Sequence, residues 1–129
     1  MRYGAVALAV AGLLTISCGG ISSPSQNTVD TFNGTLQVGS GAQFPVNVGN
    51  TGEFSVKITA LSPTPTAFVG TRWFLGGNCD FLQQQNNFSQ LNTPALVGAI
   101  LQKGTYCVQI FDVGALTVPQ TFTLTVSHP

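Results

Sequence analysis

Three cysteines, one histidine and four carboxylates are the side chains of this 129-residue chain most suited to chemistry. Cys18 closes an N-terminal apolar segment, which leaves Cys79 and Cys107 as a pair. Two thiolates can hold a metal only with further ligands close by. The sole histidine, His128, is next to the C-terminus. In an oxidising compartment the default for such a pair is a disulfide, and closing that loop stabilises a fold by roughly 3–4 kcal/mol in the chain-entropy picture. No metal site is expected. A general base on a C-terminal tail, as His128 is expected to be, is poorly placed for catalysis. Asp30, Glu53, Asp80 and Asp112 are scattered. A Cys79–Cys107 bridge would bring Asp80 and Asp112 towards each other, enough to hold a weak cation with loop carbonyls; the plainer reading is two solvated turn residues. There is no Gly-x-Ser-x-Gly, no His-Glu-x-x-His and no phosphate loop. The expectation is a protein without cofactors that is not an enzyme.

The aromatic residues make a better case for binding. Trp73 and Phe74 are adjacent, so on a strand they face opposite sides. Phe81 and Phe88 flank the polar run Gln83-Gln84-Gln85-Asn86-Asn87. An exposed Trp73, Phe74, Phe81 or Phe88 beside these amides would stack on a sugar face. Against this, Trp73 alternates with Val69, Thr71 and Leu75, a pattern that puts it in the core.

The elements that must position these residues have a period of two. Phe54, Val56, Ile58 and Ala60 alternate with polar neighbours, as do Phe122, Leu124 and Val126, and Tyr106, Val108 and Ile110. Residues 32–38 and 42–48 read as strands split by Gly39-Ser40-Gly41, and Gly49-Asn50-Thr51-Gly52 marks the next turn. Residues 67–75 read as another strand and 95–101 as one more or as a short irregular crossing, whereas residues 83–87 read as a long exposed loop. Six to eight short strands imply an all-β fold, an antiparallel β-sandwich of jelly-roll type. Cys107 directly follows Tyr106, so it points away from the face of Tyr106, Val108 and Ile110. The bridge is therefore expected to tie the loop around Gly76-Gly77-Asn78 to the outer side of a strand and not to cross the core.

Composition narrows the partners. Charged residues make up 6% of the chain and the net charge is zero, so no basic patch exists for nucleic acid and no acidic cluster for a calcium cage. At the N-terminus, Met1-Arg2 is basic, Tyr3 to Ile16 is uncharged and mostly apolar, and Leu14-Thr15-Ile16-Ser17-Cys18 is followed by Gly19-Gly20. The apolar run is shorter than the ~20 residues of a membrane-spanning helix. This segment resembles bacterial lipoprotein signal peptides, with Thr15 where that box usually has Leu. The resemblance implies a signal over 1–17, acylation of Cys18, and a bilayer as one partner, in the outer membrane or at the cell surface. Residues 18–29, small and polar, would be a flexible tether, and residues 30–129 the folded domain.

Two further stretches carry a second resemblance. Asp30-Thr31-Phe32-Asn33-Gly34-Thr35-Leu36 with Phe54-Ser55-Val56-Lys57-Ile58, and Gly104-Thr105-Tyr106-Cys107-Val108 with Thr121-Phe122-Thr123-Leu124-Thr125-Val126, are similar to pre-peptidase C-terminal (PPC-like) domains. Those are β-sandwiches that accompany exported enzymes as non-catalytic modules; here no attached catalytic domain is expected, and Phe122 stands where Tyr is common. The resemblance implies a lipid-anchored envelope domain acting through protein contacts. The alternative is a module that binds envelope polysaccharide through its aromatics.

Overall fold

The structure, a computed structural model, describes residues 27–129. The expected signal segment over 1–17, Cys18 and most of the expected tether lie outside the described residues. Eight strands follow in order: β1 (Thr28–Leu36), β2 (Gly41–Val48), β3 (Gly52–Ser62), β4 (Val69–Leu75), β5 (Phe81–Ser89), β6 (Pro94–Ile100), β7 (Gly104–Phe111) and β8 (Gln120–His128). Thr28 and Val29, assigned above to the tether, already pair with His128 and Ser127. Asn27 donates to the Glu53 carbonyl and to Ser127 Oγ, fixing the point where the chain enters the domain.

The strands form two antiparallel sheets, β1-β8-β3-β6 and β2-β7-β4-β5. This is the jelly-roll order, two Greek keys wrapped face to face. Only β4 and β5 are consecutive strands paired in one sheet; every other connection passes between sheets. One end of the sandwich therefore carries Thr28, His128 and the 49–51, 76–80 and 101–103 connections. The opposite end carries the 37–40, 63–68, 90–93 and 112–119 connections.

Alternation builds the core. Val56, Ile58, Val108, Ile110, Leu124 and Val126 are fully buried between the sheets. In β3 the phase slips: the register shifts between Ile58 and Ala60, so Leu61 faces inward and Ala60 is exposed. A bulge inserts one extra residue and reverses the alternation beyond it.

Residues 83–87 are not a loop. They are the middle of β5, at the edge of its sheet. Strand pairing is made by backbone groups, and an edge strand wet on both faces has no apolar row to announce it. Its polar side chains are also used. Asn86 reaches the Ala95 carbonyl on β6, and Ser89 meets the Thr71 hydroxyl inside the sandwich.

Candidate functional site

Trp73 is the first residue to place. It is 2% exposed, with its ring between Phe54 at 4.4 Å and Tyr106 at 5.2 Å, both nearly parallel to it. Its two faces are thus occupied, and it cannot serve as a stacking platform. Phe74 points to the other side of β4, as strand alternation requires, and is half-buried next to Cys107 and Leu82. Phe81 and Phe88 are 66% and 73% exposed, at opposite ends of β5.

Cys79 and Cys107 are bonded, with Cα atoms 5.1 Å apart. Cys107 lies on the outer face of the β2-β7-β4-β5 sheet, between Pro45 and Phe74, as its offset from Tyr106 requires. The bridge holds the 76–80 connection onto that face. Asp80 and Asp112 are not brought together. Asp112 lies five residues beyond Cys107 along extended chain, about 17 Å, at the far end of the sandwich. Among the described residues no three His, Cys, Asp or Glu side chains group as metal ligands.

Asp112 is a clamp between loops. One carboxylate oxygen accepts the N–H groups of Gly114, Ala115 and Leu116, and the other accepts that of Gly39 in the β1–β2 turn. Partial burial pushes this carboxyl up, but the N–H groups of Gly39, Leu116, Gly114 and Ala115 outweigh that effect and hold it below the ordinary aspartate value. A depressed carboxyl stabilises the fold above its unfolded value, and the contribution is lost as pH falls through the folded value. Asp112→Ala is expected to cost about 1 kcal/mol at neutral pH, as for a lost capping carboxylate. Urea denaturation across pH should show the gap from the parent protein closing below about pH 4. A gap that stays constant down to acid pH would contradict the charged role.

His128 is not on a tail. It ends β8, is buried, and its Nε2 lies 2.8 Å from Asp30 Oδ2 on β1. Its Nδ1 faces the Pro129 carbonyl at 3.1 Å. Both ring nitrogens have structural partners.

The grouping that sequence reading missed is on the outer face of the β2-β7-β4-β5 sheet. Cross-strand pairing aligns Gln43, Gln109, Arg72 and Gln85 in one row across all four strands. Arg72 Nε donates to Gln85 Oε1 at 2.8 Å, and Nη1 donates to Gln109 Oε1 at 3.2 Å. Gln85 Nε2 donates in turn to Asn87 Oδ1. The guanidinium sits 3.9 Å from the centre of the Phe111 ring, a favourable cation–π distance. That ring lies over Gly70, where any Cβ would come within 2.1 Å of Phe111 Cζ; glycine is what lets the ring lie there. Phe68 and Phe88 meet with ring centres 5.5 Å apart beside this row. Together with Asp112 and Val113 they line an open depression of about 550 Å³. Alternation alone places Arg72 with Phe74, and Gln109 and Phe111 with Cys107, on the outer face. The 37-residue separation of Arg72 from Gln109 hides their contact.

No family model and no curated protein matches the chain.

Proposed function

We propose that the chain is a non-catalytic domain of the bacterial envelope, anchored by lipid at Cys18, that acts through protein contacts. Kinship with PPC-like domains is part of this reading, and the jelly-roll order is compatible with it. The observation that carries the binding role is the pair of half-buried Phe68 and exposed Phe88 beside the Arg72–Phe111 stack. Aromatic residues and arginine are the types enriched where proteins meet. Several of the side chains most suited to catalysis have structural tasks: His128 and Asp30 pair with each other, Asp112 clamps two loops, and Cys79 and Cys107 are bridged.

The second reading, a polysaccharide-binding module, is favoured by one feature, the row of amides across the same face. Trp73 no longer belongs to it; Phe88 and, at the other end of β5, Phe81 remain available. A photo-crosslinking phenylalanine analogue at position 88, tested in intact cells, separates the two. We expect one discrete protein adduct from position 88 and none from position 31, exposed on the other sheet. An adduct to glycan, or none at all, would overturn the protein-contact reading, as would turnover of an envelope polymer by the purified protein.

A further inference from the structure

We infer that the Arg72 row is a receptor for a carboxylate on an acidic protein segment, with an apolar side chain of that segment resting on Phe68 and Phe88. The inference deepens the protein-contact reading and rests on it.

The argument starts from the direction of the hydrogen bonds. A guanidinium only donates, so both glutamines that meet Arg72 must turn their oxygens towards it. With its oxygen committed, Gln85 can offer only its N–H groups onward, and it gives one to Asn87 Oδ1. Each of these three amide oxygens thereby accepts one hydrogen bond from inside the cluster. Around the depression this leaves Nη2 of Arg72 and the uncommitted N–H groups of Gln85 and Asn87 as free donors. A charged donor flanked by amide donors fits an acceptor, best an anionic one, because charge-assisted hydrogen bonds are the stronger kind.

Charge points the same way. The contacts of Arg72 are two neutral amides and an aromatic ring, so its positive charge meets no carboxylate in them. Asp112 lines the same depression, but its oxygens are turned onto four backbone N–H groups. Glutamines and a ring hold the guanidinium in place, which lowers the ordering cost of binding.

The apolar neighbours select the class of partner. Phe68 and Phe88 offer an apolar surface beside the donor row. A peptide supplies a carboxylate and an apolar side chain on adjacent residues. A uronic-acid polysaccharide supplies the carboxylate but no apolar side chain to rest on Phe68 and Phe88.

The test uses the full-length ¹⁵N-labelled protein in detergent micelles, following the Arg72 Nε–H resonance. The probes are N-acetyl-Glu-Leu-Phe-amide, its Gln-Leu-Phe counterpart and oligogalacturonate. We expect the Glu peptide to shift the resonance saturably and the Gln peptide to bind about 10- to 100-fold more weakly, the worth of a hydrogen-bonded charge. Arg72→Gln should abolish binding, read from backbone shifts around Phe68 and Phe88. Gln109→Glu should abolish it too, by supplying Arg72 with a carboxylate in place, while leaving the melting temperature unchanged or higher. Equal binding of the two peptides, binding that survives Gln109→Glu, a response to oligogalacturonate alone, or no response to any probe would each overturn the inference. A position-88 protein adduct that persists in Arg72→Gln would mean that only the carboxylate assignment had failed, and that the domain still binds protein.

Discussion

Trp73→Ala is expected to destabilise the domain by about 3–5 kcal/mol, the range for deleting a large buried aromatic. The ring lies between Phe54 of β3 and Tyr106 of β7, so it joins the two sheets and two neighbouring strands of one sheet. Each ring pair adds about 0.5–1.5 kcal/mol beyond buried area. Tyr106 is further held by its hydroxyl, which donates to the Gln102 carbonyl at 2.7 Å. Losing the central ring would leave a hole that neither sheet can close without moving a strand. Guanidinium denaturation followed by circular dichroism measures the effect, and a cost below about 1 kcal/mol would show that the site collapses freely. Because Trp73 is the only tryptophan, its emission gives a second readout. Emission should be blue-shifted in the native state, indifferent to added polysaccharide, and red-shifted on unfolding.

Removing the disulfide should cost a comparable amount. Cys79 and Cys107 are 28 residues apart, and opening a loop of that length restores about 3–4 kcal/mol of chain entropy to the unfolded state. The bridged segment contains β5 and β6, which are edge strands of opposite sheets. Without the bridge, β5 is held by its pairing to β4 and by contacts across to β6. Cys79→Ala/Cys107→Ala, or reduction of the parent protein, should lower the denaturation midpoint in step with this figure. A midpoint indifferent to reductant would mean that the unfolded chain is already compact around the loop. A domain that relies on this bridge also depends on an oxidising compartment, in keeping with the proposed export.

The inward faces were legible from the sequence because a half-buried strand must alternate. Phe54, Val56 and Ile58, Tyr106, Val108 and Ile110, and Phe122, Leu124 and Val126 all face the core as their spacing requires. The outward position of Cys107 followed from the same parity. The pattern misled at Ala60, where a bulge changes the phase, since nothing in Ile58-Thr59-Ala60 marks an extra residue. It was silent over β5, whose pairing is made by backbone. Contacts between strands distant in sequence were the least accessible. Asp30 and His128 are 98 residues apart, and the Arg72 row draws its members from four strands. Alternation gives the face a residue occupies but not its neighbour across the ladder. The missed site is made entirely of such neighbours.

The position of β8 has a consequence for timing. The last strand made lies inside its sheet, paired with β1 on one side and β3 on the other. Emerging from a ribosome at about 5–20 residues per second, the chain cannot assemble that sheet until Gln120–His128 has appeared. Strands that pair over such distances also fold slowly, in milliseconds to seconds. The nascent polypeptide therefore keeps that sheet open until β8 has emerged, the state that the proposed export would require of a chain threaded through a narrow channel.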